Sequence, residues 1–505
     1  MATTVRKLLE TGAADAPAVG CEGRPDLTHG GLRAFADQVV ATLNGFGIGR
    51  GDRVAIVLPN GPEMATAFIT VACGATTAPL NPAYRRDEFD FYLDDLGAKA
   101  LIVADDYDGD ALTAASARNI PVLRLTPRTG EAAGLFDLAG DAAAAPATQG
   151  GTAGPDDVAL VLHTSGTTSR PKIVPLSQTN VTASAAHIRD ALALTAADRC
   201  MNIMPLFHIH GLIAAVLSSL GAGGSVWCSP GFNALRFFAW MEEARPTWYT
   251  AVPTMHQAIL SRAGRNADLI KAQPLRLIRS SSSSLPPQVM AELEATFTCP
   301  VIESYGMTEA AHQMASNPLP PAERRPGSVG IAAGPEVRTM DTDGNLLEPG
   351  ATGEVVIRGP NVTAGYEANP KANAENFTNG WFRTGDQGVI DTEGYLTITG
   401  RLKEIINRGG EKISPREVDE ILMDHPAVGQ AVTFAMPHPK LGEEVAAAVV
   451  LREGQSATDR EIRDFAATRL ADFKVPRKLL ILEEIPKGAT GKLQRIGLAE
   501  KLGLV

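Results

Sequence analysis

Apolar positions in this chain come as short solid runs separated by stretches with helical spacing. Asp52 to Leu58 reads as a strand closed by the breaker Pro59-Asn60-Gly61-Pro62, and a helical run follows from Glu63 to Gly74. Ala100 to Ala104, Val122 to Leu125 and Val158 to Leu162 read as further buried strands. Such βα alternation predicts mainly parallel sheets flanked by helices. Residues 139–154, rich in Ala, Gly and Thr, predict a linker inside this large unit, and the pattern resumes at Asp157 and runs to about Gly400. Beyond it, Ser414-Pro415-Arg416-Glu417 predicts a helix start with Ser414 as N-cap in a capping box, running to about Asp424 before Pro426. Strands at Gln430 to Phe434 and Val445 to Leu451 and a helix at Asp459 to Leu470 complete a second unit. The expected fold class is therefore α/β. A large N-terminal domain, residues 1–402, precedes a small mobile α+β C-terminal domain, residues 403–505, hinged near Arg401 to Glu404.

Composition narrows the picture. The 505 residues suffice for more than one domain, and 44% apolar with 20% charged residues is ordinary for a globular protein. A net charge of -11 argues against a nucleic-acid partner. Five cysteines without C-x-x-C spacing predict reduced, mostly buried thiols. The start MATTVRKLLE has no apolar signal region, no run is long enough to span a membrane, and the end LGLV is not a peroxisomal address. A cytoplasmic enzyme without membrane partner is the expectation.

Chemistry is densest in Leu162-His163-Thr164-Ser165-Gly166-Thr167-Thr168-Ser169-Arg170-Pro171-Lys172. Hydroxyls, a glycine and a closing lysine offer many donors and a point charge to a polyphosphate. The stretch lacks Walker A spacing, and Pro171 biases Arg170 away from helix. Six motifs follow in order: Pro205-Leu206-Phe207-His208-Ile209-His210-Gly211; Arg279 with Ser280 to Ser284; Glu303-Ser304-Tyr305-Gly306-Met307-Thr308-Glu309-Ala310; Gly350 to Glu354; Trp381 to Asp386; and Pro486 to Lys492.

Together these motifs closely resemble the adenylate-forming acyl-CoA synthetase superfamily, over nearly the whole chain from Leu27-Thr28 to Lys492. The resemblance implies two half-reactions. A carboxylate attacks the α-phosphorus of ATP to give acyl-AMP and pyrophosphate, and the thiol of coenzyme A then displaces AMP. It implies that Thr164, Ser165, Gly166, Thr167, Thr168 and Lys172 hold the β- and γ-phosphates and that Glu309 is the Mg²⁺ carboxylate. Thr308 would bond the α-phosphate, with Ser281 also at the nucleotide. Tyr305 would stack on adenine, Asp386 bind the ribose hydroxyls and Arg401 touch ribose and phosphate. Lys492 would neutralise charge during adenylation, and Gly409-Gly410 would line the pantetheine channel. Acetylation of Lys492 by a lysine acetyltransferase, reversed by a deacetylase, would remove that charge.

The chain departs from the family pattern at Ser169 and Ile173, where glycine is usual, and at Ser281 to Ser284, where Gly-Gly-Ala-Pro is usual. The row of hydroxyls suits a polar acyl group. His208, His210, Ser282 and His312 supply donors that a second carboxylate needs, since a buried anion is costly unless paired. Arg279 is close in sequence, and His256 reads as structural. These features resemble the oxalate-CoA ligases of plants and fungi, with a small carboxylate as substrate. The alternatives are a ligase for malonate or for short or medium fatty acids, an amino-acid adenylating enzyme, and an inactive homologue.

Overall fold

The computed structural model describes residues 2–140, 146–164, 171–486 and 493–505. Among them, two mixed sheets form the body of the large unit. One has seven strands, with Arg53–Val57, Thr76–Pro79, Ala100–Ala104, Val122–Pro127 and Val158–Thr164 running parallel and antiparallel strands at both edges. The other has nine, with a parallel centre of Val301–Met307, Leu277–Ser280, Trp248–Ala251, Arg199–Asn202 and Ser225–Cys228. The central strands are solid apolar runs because both of their faces are covered, as Ala100–Ala104 illustrates. Helix Pro62–Ala72 is buried at nine consecutive residues from Met64 to Ala72, so it is enclosed and not amphipathic. Residues 146–154 are laced to the body: the amides of Arg50 and Ala153 donate to Gln149 and Cys73 carbonyls at 2.8 Å.

The βα alternation does not persist to Gly400. From Glu336 the chain makes an antiparallel five-stranded sheet of Glu336–Met340, Thr352–Arg358, Phe377–Thr378, Trp381–Ile390 and Leu396–Arg401. Asp343-Gly344, Asn379-Gly380 and Glu393-Gly394 account for the change, since each glycine has positive φ in a tight turn. A separate sheet follows, built from Ile406–Arg408, Glu411–Ile413, Val428–His438, Gly442–Leu451 and Lys478–Ile481.

The helix expected after Ser414 is present as Pro415–Met423, but its capping box is not. The Ser414 hydroxyl donates instead to the carbonyl of Thr399, and Glu417 pairs with Lys474 at 2.6 Å. The side chain that would close the first turn thus ties the helix to the preceding sheet. A capping box forms at Thr458 and Glu461, starting helix Asp459–Ala467. This C-terminal part touches the large unit through Arg416 of helix Pro415–Met423, which donates to the carbonyls of Ile398 and Gly327 at 2.8 and 3.1 Å, and through Gly429, whose carbonyl accepts from Gln257 at 2.8 Å. All five cysteines are free and buried. No helix among the described residues is long and apolar enough to cross a membrane.

Candidate active site

Ligands of open α/β sheets sit beyond the carboxyl ends of the strands. Here the segments leaving Arg199–Asn202, Leu277–Ser280 and Val301–Met307 carry His208 and His210, Ser281 to Ser284, and Thr308 to His312. His210 opens a fully buried π-helical stretch, His210–Leu217, a geometry that often marks functional sites. Its Nδ1 lies 3.0 Å from Ser282 Oγ, and its ring meets that of His312 edge-on at 4.8 Å. Its backbone amide donates to His208 Nδ1 at 3.2 Å, so the hydrogen of a neutral His208 sits on Nε2. Four residues expected near the acyl group therefore do assemble.

Arg279 is buried behind them. One of its nitrogens lies 3.4 Å from both His210 Nε2 and Thr250 Oγ1, and the other donates to Gln313 Oε1 at 3.1 Å. Burial pushes the guanidinium down to about 9, so it stays charged at neutral pH. Among the described residues no carboxylate lies within ion-pair distance of it. Backbone strain gathers at the same place: Ser282, Ala311 and His312 have φ of 73°, 47° and 97°. Each costs an ordinary side chain roughly 1 to 3 kcal/mol, and such residues cluster at ligand sites. The close approach of His312 is permitted by Gly306, where an added Cβ would stand 1.7 Å from the His312 carbonyl oxygen. Phe207 lines a cavity of about 450 Å³, together with Asn60, Pro82, Phe232 and Met255.

A second cluster joins Tyr305, Asp386 and Arg401. The Tyr305 hydroxyl and Arg401 Nε donate to opposite oxygens of Asp386, the latter at 2.8 Å. Asp386 raises the pKa of Arg401. A third surrounds Glu309. The Tyr366 hydroxyl donates to Glu309 Oε1 at 2.8 Å, and Lys172 Nζ stands 4.4 Å from the Tyr366 ring centre. Burial raises the Glu309 pKa and lowers that of Lys172, so each charge sits where it lacks water. Thr164 and Lys172 are cross-strand partners at the mouth of this cluster. Thr308 shares the short turn Thr308–Ala310 with Glu309, and the Ser281 hydroxyl donates to the Ser304 carbonyl at 3.0 Å.

Gly409-Gly410 form the tip of a two-residue hairpin between Ile406–Arg408 and Glu411–Ile413. Positive φ at both positions explains the glycine pair. The tip is exposed, and its amides bond to Leu441 O and Asn407 Oδ1, within the small sheet. Ser165, Gly166, Thr167, Thr168 and Lys492 lie outside the described residues. His256 is buried beside Tyr249, with 3.2 Å between hydroxyl and Nδ1. Sequence reasoning missed Tyr366, Thr250 and Gln313. For Tyr366 the signal was an aromatic in the turn Gly365-Tyr366-Glu367; for the other two there was none.

Comparison with known proteins is consistent along the chain. Residues 9–367 match the AMP-binding enzyme family, and residues 417–492 match the AMP-binding enzyme C-terminal domain. The chain is 45% identical to an oxalate–CoA ligase of Arabidopsis thaliana, covering 97% of each. It is 43% identical to the oxalate–CoA ligase of Saccharomyces cerevisiae, covering 89% of this chain and 87% of that one. The ATP-bound crystal structure of MatB from Rhodopseudomonas palustris superposes with a TM-score of 0.88 at 29% identity, covering 99% of both chains. With family matches across both units and full-length relatives well above 30% identity, the chain belongs to the AMP-binding enzyme family.

Proposed function

We propose that this protein is an ATP-dependent acid–CoA ligase that converts oxalate to oxalyl-CoA, releasing AMP and pyrophosphate. The observation that carries this reading is the acyl end of the site. Where a fatty acid would need apolar walls, His210, Ser282 and His312 stand together beside the buried cation Arg279, which has no carboxylate within ion-pair distance among the described residues. Such a pocket compensates a second carboxylate close to the reacting one. The oxalate–CoA ligases at 45% and 43% identity support the same choice.

The mechanism follows from the placement of charge. A carboxylate is a poor electrophile because oxide would have to leave, and transfer to AMP supplies a stable leaving group. The protein's work is to position the two anions and offset their repulsion. Ser282, His312 and His208, with His210 behind them, would orient the distal carboxylate so that the other faces the α-phosphorus. Thr164, Ser165, Gly166, Thr167, Thr168 and Lys172 would hold the β- and γ-phosphates, and Thr308 the α-phosphate. Tyr305 and Ser281 would border adenine. Asp386 would exchange its bonds with Tyr305 and Arg401 for the ribose hydroxyls.

Glu309 suits a hard divalent cation. It is a buried carboxylate whose ionised form is disfavoured until a positive partner arrives. Among the described residues no group of three or more His, Cys, Asp or Glu could hold a metal alone, so phosphate oxygens and water would complete the shell of a bound ion. Mg²⁺ at Glu309 would supply charge neutralisation on the phosphates.

We take residues 1–402 as the body binding ATP and acid, and 403–505 as the body bringing Lys492 to adenylation and Gly409-Gly410 to the thiol step. Coenzyme A would reach the acyl carbon past Phe207, which lines the cavity of about 450 Å³ and directly precedes His208 in the chain. Incubation with ATP, Mg²⁺, coenzyme A and oxalate, followed by mass spectrometry, should yield oxalyl-CoA with equimolar AMP. Absence of that thioester, with active turnover of another acid, would refute the assignment.

A further inference from the structure

Behind Ser282 lies a chain of hydrogen bonds whose direction is set by a group that can only donate. Arg279 and Thr250 are neighbours across the parallel strands Leu277–Ser280 and Trp248–Ala251, in register with each other. Both side chains are fully buried. The Arg279 guanidinium has no lone pair to offer, so at 3.4 Å it donates to Thr250 Oγ1. Thr250 then has its own hydrogen for His210 Nε2, which lies 2.6 Å away. A hydrogen on Nε2 would also face those of the guanidinium, 3.4 Å off. Nε2 is therefore the acceptor, and Nδ1 carries the ring hydrogen. Nδ1 is 3.0 Å from Ser282 Oγ and donates to it. With its oxygen occupied, the Ser282 hydroxyl has a hydrogen left to give.

We infer that Arg279 and Thr250 are positioning residues: they hold His210 as the Nδ1–H tautomer and so turn Ser282 into a donor toward the anionic end of the acid. This rests on the reading of the acyl pocket as an oxyanion site. It explains why Ser282 occupies a left-handed conformation, φ 73°, in which glycine would be relaxed. It also explains a fully buried arginine whose polar partners are a hydroxyl, an imidazole and an amide. Gln313 fixes the other end of the guanidinium, and its own backbone is held by Ser184 and Asn361.

The test combines a spectroscopic signature with a kinetic split. Long-range ¹⁵N–¹H correlation spectra of enzyme labelled at histidine nitrogen report each ring's tautomer, and loss of one pattern in His210→Gln assigns the signal. Wild type and Thr250→Ser should show the Nδ1–H form. In Thr250→Val that form should be lost or mixed, and KM for oxalate should rise about ten-fold or more while KM for ATP stays level. Arg279→Met should act in the same direction. An Nε2–H or doubly protonated His210 in the wild-type enzyme would overturn the inference without any variant. So would a folded Thr250→Val enzyme with an unchanged tautomer and unchanged KM for oxalate. If the wild type rejected oxalate in favour of a monocarboxylic acid, the substrate reading and the role of Ser282 would fall together, while the spectrum would still decide the tautomer on its own.

Discussion

Arg401 Nε donates to Asp386 Oδ1 at 2.8 Å, across the paired strands Trp381–Ile390 and Leu396–Arg401. The carboxylate proposed to bind ribose is thus tied to the last strand residue before the small sheet. Leu402 adds a backbone bond, its amide donating to the Gly385 carbonyl at 2.9 Å. On that proposal, nucleotide binding and the posture of the connection between the units would share one side chain. Asp386→Asn removes the charge from both roles. Losing a charge-assisted bond of roughly 1.5 to 3 kcal/mol should raise KM for ATP about ten- to hundred-fold. Steady-state kinetics at saturating oxalate measure this, and a change within about two-fold would speak against ribose binding at Asp386.

The connection should rotate, because one surface cannot present both Lys492 and Gly409-Gly410. Gly410 has φ 102°, and a left-handed conformation costs a side chain about 1 to 2 kcal/mol. Gly410→Ala should distort the hairpin tip, sparing ATP–pyrophosphate exchange. CoA-dependent thioester formation should fall roughly ten- to hundred-fold, as expected for a misplaced channel wall. Equal loss in both assays would mean that the glycine pair has no separate part in the second half-reaction.

Lys492 is assigned the opposite division of labour. Lys492→Ala should abolish pyrophosphate exchange while thioester formation from supplied acyl-AMP largely survives. Acetylation removes the same charge and should silence the same step. Enzyme fully acetylated at Lys492, verified by mass spectrometry, that kept normal exchange rates would contradict this.

Glu303 gives the fold a pH dependence of its own. It is buried, accepts from the Leu285 amide at 3.1 Å, and burial pushes its pKa up to about 7 from 4.5. The native state therefore binds the proton more tightly than the unfolded chain. Its contribution to stability is complete below pH 4.5 and is lost as pH rises through 7, by roughly 3 kcal/mol in all. Glu303→Gln keeps an acceptor for Leu285 and should flatten this slope. Thermal unfolding followed from pH 4.5 to 8 should show the variant gaining on the wild type as pH rises; parallel curves would mean that Glu303 is already ionised in the fold.

Local signals and long-range ones separate cleanly in this chain. Ala100–Ala104 appears with the bounds its apolar run implies, since a strand covered on both faces needs nothing polar. The stretch proposed to hold phosphates, the histidines and the serine run announce themselves by composition. Ser414 misled because its hydroxyl had a better acceptor in Thr399, fifteen positions away, than in its own helix. Thr250 could not be found because its meaning depends on strand order: only when Trp248–Ala251 lies beside Leu277–Ser280 does it touch Arg279. Tyr366 was hidden for the same reason, since it reaches Glu309 across fifty-seven positions.

The central claim is that the acyl pocket is built for a small dianion. The most direct measurement is kcat/KM for AMP release with coenzyme A across oxalate, malonate, acetate and hexanoate, repeated with His312→Ala. Oxalate should lead, with acetate at least about ten- to hundred-fold behind, and His312→Ala should remove most of that lead while ATP binding persists. A wild-type enzyme that preferred acetate or hexanoate to oxalate by a wide margin would contradict the account.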